Sequence, residues 1–320
     1  MSIEILKPGL QTTVQDLGRH GWAHYGISPS GAADPYSCRM ANAILGNSPT
    51  TACLEITLLG PELRFEEDVQ LSLYGAEIQV EIDGKLMPFG ASFGEPFDIK
   101  KGQLLRLGTT QNGARTYLAV QGGFQVPLYL GSASTHLISG VGGMQGRALK
   151  KGDWLATKEF TTRNNYTINT LQYNTITEKL NVNNRYILRI TPGLQSDWFS
   201  SSTKALLSKT SYTVTPEFNR MGIRLEGADL SSIRGHQIIT EAISNGAIQV
   251  PGNGQPILSF VEHQTTGGYP KIANVITADF GKLGQLKAGD EISFEWVTFE
   301  QAEEERLELE ASFREINGDF

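Results

Sequence analysis

Short runs of alternating apolar and polar residues, broken by glycine, dominate the chain. Val69-Gln70-Leu71-Ser72-Leu73-Tyr74 alternates, and Ile78-Gln79-Val80-Glu81-Ile82 does so before running into Asp83-Gly84. A period of two puts successive side chains on opposite faces of a strand. Asp-Gly after such a run predicts a hairpin turn. Tyr117-Leu118-Ala119-Val120 ends at Gly122-Gly123, and Gly289-Asp290 opens Glu291-Ile292-Ser293-Phe294-Glu295-Trp296; both runs read as strands. Helical spacing is rarer. Asp34, Pro35 and a closing Gly46 predict a helix over 35–45 with Asp34 as its N-cap. A second helix is predicted over 299–316, with Leu309, Phe313 and Ile316 on one stripe and a Glu-rich outer face that reads as a solvated, acidic cap. A serine-rich stretch beside Trp198 and Phe199 predicts a third. The balance predicts a mostly β fold with a few helices, a barrel or sandwich rather than a parallel sheet.

Several phrases occur twice in the same order, which predicts two duplicated lobes. Pro8-Gly9-Leu10-Gln11 returns as Pro192-Gly193-Leu194-Gln195, Arg39-Met40 as Arg220-Met221, and Gly122-Gly123 as Gly267-Gly268. Glu55 precedes Gly60 by the same interval as Glu241 precedes Gly246. Leu149-Lys150-Lys151-Gly152-Asp153 is matched by Leu286-Lys287-Ala288-Gly289-Asp290. The expected organisation is a first β lobe over 1–160, an Asn/Thr-rich linker over 161–184, a second β lobe over 185–297 and a C-terminal helix over 298–320.

Composition narrows the chemistry. In 320 residues, 27 Lys and Arg stand against 34 Asp and Glu, a net charge of −7 that argues against a generic binder of phosphate backbones. Two cysteines, Cys38 and Cys53, leave no room for a disulfide framework or a four-thiolate zinc site. The N-terminus lacks the basic start and apolar run of a signal peptide, and no stretch approaches the length of a membrane span. A soluble, cytoplasmic protein that binds neither nucleic acid nor membrane is expected. The chain has no Gly-x-x-x-x-Gly-Lys-Ser/Thr loop, so a self-contained P-loop ATPase is not expected. No Met-Lys dipeptide occurs, which argues against covalently attached biotin. His20 and His24 are four apart but sit in a glycine-rich segment; they read as loop histidines rather than a zinc pair, and no metal site is expected.

Two segments are dense in glycine and directed polar groups. One runs from Gln11 through Asp16, Arg19 and His20 to Tyr25 and the Gly31-Ala32-Ala33-Asp34 turn. The other is Glu262-His263-Gln264-Thr265-Thr266-Gly267-Gly268-Tyr269-Pro270-Lys271. Glycine lets backbone N–H groups approach a ligand; the same residues also build tight turns. Arg220 and Arg224 are placed either to clamp a carboxylate or phosphate or to pair with Glu226 or Asp229. Glu55, inside Leu54-Glu55-Ile56-Thr57, is a carboxylate in an apolar strand. It is either paired within the fold or a base or ligand with a raised pKa.

Taken together, these segments resemble the allophanate hydrolase subunit 2 family, also called the biotin-dependent carboxyltransferase family. The resemblance rests on Gly9 to Gly21, the Gly31…Asp34 turn, Leu54-Glu55-Ile56-Thr57, Tyr117 to Gly123, Gly131-Ser132-Ala133-Ser134-Thr135, Asn219-Arg220-Met221-Gly222 and Gln264 to Pro270, all in order. It implies cyclophilin-like β-barrels. It further implies one component of an ATP-dependent 5-oxoprolinase, which opens 5-oxoproline to glutamate. The implied partners are a KipI-like B component and a LamB/YcsF-like A component, without which the chain is inert. ATP and magnesium would then be needed by the complex. Other members imply two alternatives: carboxyl transfer to urea or another amide, and regulatory binding as a KipI antagonist. For the ring-opening chemistry the expected catalytic residues are Asp34, Glu55 and Lys271. Arg19, Arg220 and Lys271 would contact anions. His20, Tyr25, Gln264, Thr265, Thr266 and Tyr269 would bind substrate, assisted by the backbone of Gly267 and Gly268. The chain departs from a frequent form of the family at Val261-Glu262-His263, where Asp followed by Arg or another polar residue is common, so His263 is left out of the expected site.

Overall fold

The alternating runs form strands, and the glycines sit where the chain must reverse. In a computed structural model of the chain, residues 2–88, 93–158 and 185–317 are described. They divide into two compact units, one holding 2–19, 30–158 and 313–317 and the other 20–29 and 185–312. The expected linker over 161–184 lies outside the described residues, and the architecture is mostly β, as anticipated. No helix among the described residues is long and apolar enough to cross a membrane.

The first unit contains two sheets. One carries β1 (Ser2–Lys7), β4 (Glu62–Phe65), β6 (Ile78–Ile82), β7 (Lys85–Leu86), β9 (Leu104–Thr110), β11 (Phe124–Gln125) and β12 (Trp154–Thr157), in the order β11-β12-β1-β4-β9-β6-β7. The other carries β2 (Gln11–Gln15), β3 (Cys53–Thr57), β5 (Val69–Gly75), β8 (Phe97–Ile99) and β10 (Arg115–Val120), in the order β2-β3-β10-β5-β8. Ile3, Ile5, Val14, Leu54, Ile56, Phe65, Leu71, Leu73, Leu105 and Leu118 fill the core shared by the two sheets. The Asp83-Gly84 hairpin joins β6 to β7 with φ of 50° and 79°. Positive φ at both central positions is what a type I′ turn requires.

Helix α1 (Pro35–Ile44) is capped as predicted: the Asp34 side chain accepts from Ser37 N–H at 2.9 Å and from Ser37 Oγ at 2.5 Å. The start of the helix is tied to the sheet by Glu55, whose cross-strand partner on β10 is Tyr117. Glu55 Oε2 accepts from Ala33 N–H at 2.8 Å and from the Tyr117 hydroxyl at 2.7 Å. That hydroxyl accepts in turn from Asp34 N–H at 2.8 Å. Arg115 Nε lies 3.6 Å from Glu55 Oε1. Burial, reinforced by the Glu55 charge, pushes the Tyr117 phenol well above its ordinary 10, so it stays a neutral donor.

In the second unit β13 (Arg185–Pro192), β14 (Tyr212–Val214), β15 (Gly222–Glu226), β17 (Ala247–Gln249), β18 (Ile257–Ser259), β20 (Lys271–Val275) and β21 (Glu291–Trp296) close a barrel in the order β13-β20-β17-β18-β15-β14-β21. Closure abolishes free sheet edges. A two-stranded ribbon, β16 (Glu241–Ala242) with β19 (Thr266–Gly267), stands apart from it. The serine-rich stretch forms α2 (Ser201–Lys209), followed later by α3 (Phe280–Gln285) and α4 (Phe299–Asn317). α4 is more than a solvated cap, because Phe313 is buried beneath the Arg39 guanidinium, 3.7 Å from its ring centroid, and Glu305 pairs with Arg189.

The closing phrase of the repeat is a recurring turn. Lys150 N–H and Lys287 N–H each donate to the following aspartate, at 2.7 and 3.0 Å. Gly152 and Gly289 both have φ of 87°. Lys100-Lys101-Gly102-Gln103 builds the same turn with Gln103 in place of aspartate, so this phrase reflects how a strand is entered.

Replacing Tyr117 with Phe strands the Asp34 N–H and removes one donor from Glu55. The variant should lose about 1–3 kcal/mol in chemical denaturation. Tyr269→Phe, at an exposed ring, should stay within about 0.5 kcal/mol of the parent.

Candidate functional site

A cavity of about 240 Å³ opens in the second unit. Its walls come from barrel strands: Gly222 and Arg224 on β15, Gln249 on β17, and Ile257 and Ser259 on β18. Ile243, just after β16, and Gly267 on β19 bring the ribbon to its rim. Loop residues Glu217, Asn219, Met221, His263, Gln264, Gly268 and Tyr269 complete it. Along β15 the alternation turns Ile223 and Leu225 into the core and leaves Arg224 exposed. Gln249 Nε2 donates to Ser259 Oγ at 3.1 Å across the β17–β18 pair, leaving the amide oxygen beside Gly267. A Cβ at Gly267 would overlap Ile243 Cδ1 and lie 3.0 Å from Gln249 Oε1, so a side chain there would displace the ends of both neighbours.

Two ion pairs hold these segments, one fully buried and one with only its lysine buried. Arg220 Nε sits 2.5 Å from Glu262 Oε1, with both side chains buried. Around the pair, Glu262 N–H donates to Arg220 C=O at 2.7 Å and Phe260 N–H to Met221 C=O at 3.0 Å. Asn219 Oδ1 accepts from Met221 N–H at 2.8 Å and tightens the turn. On the ribbon side, Lys271 Nζ lies 2.5 Å from Glu241 Oε1, which also accepts from Gln195 Nε2 at 2.7 Å. Lys271, with Gln195 behind it, holds the Glu241 carboxyl below its usual range.

His263 has a defined protonation state. Its Nδ1 is 2.8 Å from the carbonyl oxygen of Gln264. A carbonyl only accepts, so Nδ1 carries the hydrogen and Nε2 is an acceptor. Burial pushes its pKa below the ordinary 6.5, against a smaller upward pull from that carbonyl, so the ring is neutral at neutral pH.

The residues singled out from the sequence fall in several places. Gln264, Gly267, Gly268 and Tyr269 line the cavity. Thr265 and Thr266 belong to the ribbon: Thr265 C=O accepts from Ile243 N–H, and Thr266 pairs with Ala242. Arg220 and Lys271 are buried loop anchors, and Arg220 pairs with Glu262 rather than with Glu226 or Asp229. Asp34 and Glu55 lie in the first unit, 1% exposed, with their oxygens engaged by the α1 cap and by Ala33 and Tyr117. Arg19 is also in the first unit, buried over the Tyr129 ring and donating to the Ser134 carbonyl. His20 and Tyr25 are exposed, and the Tyr25 ring packs on His24 at 4.1 Å.

The cavity adds Glu217, Gln249, Ser259 and His263 to the expected set and takes in Arg224, one of the two arginines placed to clamp a carboxylate or phosphate. Arg224 was legible as the polar step in an alternating strand, and His263 as the neighbour of Gln264. Gln249 and Ser259 carry no local signal, because only barrel pairing brings them together. Among the described lining residues Arg224 is the one permanent cation, set against Glu217. No group of three or more metal-ligating side chains occurs among the described residues. This donor set does not fit a magnesium-bound triphosphate, which calls for several cations and an oxygen cage.

Comparison with known proteins agrees with the architecture. The carboxyltransferase domain family, subdomains A and B, matches residues 25–296. The chain is 36% identical over 314 residues to the C component of 5-oxoprolinase from Escherichia coli, covering 98% of this chain and 97% of that protein. The Haemophilus influenzae protein of the same name is 35% identical over 315 residues, with the same coverage. Urea amidolyase of Saccharomyces cerevisiae is 31% identical over 332 residues, which is 99% of this chain but 18% of that protein. The crystal structure of Kluyveromyces lactis urea carboxylase superposes with a TM-score of 0.89 at 29% identity, over 98% of this chain and 29% of that one.

Removing one member of a buried ion pair leaves the other charge stranded. Arg220→Ala should cost about 3–5 kcal/mol of stability in denaturant titration, whereas Arg224→Ala, on an exposed side chain, should change it by less than about 0.5 kcal/mol.

Proposed function

The chain belongs to the carboxyltransferase domain family, and from that premise we propose that it is the C component of an ATP-dependent 5-oxoprolinase, which opens 5-oxoproline to glutamate. The observation that carries this reading is the end-to-end match to two proteins of that name, each covered over 97% of its length. In urea amidolyase, by contrast, the matching region is 18% of a larger protein. Two relatives matched over 97% of their own length, and named as one component of an enzyme, suit a reading in which this chain works with separate partners. Those partners are a KipI-like B component and a LamB/YcsF-like A component.

The reaction explains why one polypeptide is not enough. A five-membered lactam is a resonance-stabilised amide, and opening it demands activation of the carbonyl together with directed hydrogen bonds to oxygen and nitrogen. The cavity offers the second requirement through Gln264, Tyr269 and His263. Its charge set does not suit Mg–ATP, so nucleotide chemistry belongs outside this cavity, and the chain alone is inert. Anchors such as Arg220 and Lys271 hold the loops and act on substrate only through them.

A second reading, carboxyl transfer to urea, is favoured by the close superposition on urea carboxylase. The two separate in one assay. The purified chain, mixed with its KipI-like and LamB/YcsF-like partners, ATP and magnesium, should release glutamate from 5-oxoproline, and omitting any one of the three proteins should abolish release. With urea and a carboxylated biotin carrier added as carboxyl donor, transfer of the carboxyl group to urea without glutamate release would favour the second reading, and glutamate release that persists without this chain would contradict the first.

A further inference from the structure

We propose that the cavity of the second unit is the amide-binding site, with Arg224 pairing with the substrate carboxylate and His263 Nε2 accepting the ring N–H. This deepens the 5-oxoprolinase reading and rests on it. The first observation is Arg224: it projects from β15 into the cavity wall, opposite the core residues Ile223 and Leu225, and makes no ion pair among the described residues. The two buried cations of this region, Arg220 and Lys271, already hold carboxylates. One guanidinium facing a small cavity matches one carboxylate, and its fork suits bidentate binding. Urea carries no such group.

The second observation is the tautomer of His263. With Nδ1–H committed to the Gln264 carbonyl, the ring presents an acceptor, which is what a lactam N–H needs. Gln264 and Tyr269, also on the wall, have donors for the lactam oxygen. Size agrees: about 240 Å³ is room for a small ring and its carboxylate, and lies below the roughly 300–1,000 Å³ of drug-sized sites.

The test uses the assembled complex and three compounds: 5-oxoproline, its carboxamide, and N-methyl-5-oxoproline. Wild type should prefer the acid to the carboxamide and reject the N-methyl compound. Arg224→Gln should lower kcat/KM for the acid by about 10- to 100-fold, mainly through KM. It should leave the carboxamide nearly unchanged, so that the preference collapses, and Arg224→Lys should retain part of it. His263→Asn keeps a donor for the Gln264 carbonyl but lacks Nε2, and should lose discrimination against the N-methyl compound. An unchanged acid-to-carboxamide ratio in Arg224→Gln, with wild type turning over 5-oxoproline, overturns the assignment and leaves the 5-oxoprolinase reading standing. Absence of wild-type turnover overturns that reading and the assignment with it.

Discussion

Two full charges buried in the second unit, Arg220 and Glu262, are tolerable only because they face each other at 2.5 Å. Desolvating either one alone costs several kcal/mol, so the loops that carry them are locked together. The Arg220 loop and the Glu262 loop therefore present Asn219 and Met221 on one side of the cavity and His263 and Gln264 on the other. On the ribbon side the buried Lys271 meets a partly exposed partner, Glu241, which Gln195 also holds. Both pairs consume cations that a sequence reading naturally assigns to a ligand. What remains facing the cavity is Arg224 with Glu217, and those two set the charge character of the site.

The first unit uses a carboxylate differently. Glu55 lies in the middle of a three-strand stretch, opposite Thr13 on one side and Tyr117 on the other. It spends its oxygens on Ala33 N–H, the Tyr117 hydroxyl and the neighbourhood of Arg115. Asp34 caps α1 and is fastened to the same hydroxyl through its own N–H. The arrangement fixes where the helix starts. Its parts are the carboxylates expected to be catalytic, and in the fold their oxygens are engaged by the helix cap, Ala33 and Tyr117.

Much of the fold was legible because its signals are local. The alternation at Val69 to Tyr74, the Asp83-Gly84 turn and the Asp34-Pro35 cap each act within a few residues, and each appears where the pattern puts it. The glycine-rich run from Gln264 to Tyr269 was likewise legible as a rim, since directed polar groups beside glycine suit close approach. What was not legible depends on pairing between distant strands. Arg220 sits near Glu226 and Asp229 in sequence, yet the β15–β18 register brings it to Glu262. Gln249 and Ser259 meet only through the barrel. His263 was set aside for departing from a familiar pattern, whereas its position is decided by a backbone bond to Phe260 and a ring bond to Gln264.

The central claim is that a small amide acid binds in this cavity. Hydrogen–deuterium exchange on the assembled complex, with and without saturating 5-oxoproline, tests it most directly. The account predicts slowed exchange confined to the segments around 217–224 and 260–269, with the α1 cap and β3 unchanged. Slowed exchange around Asp34 and Glu55, with none at the cavity, would contradict it.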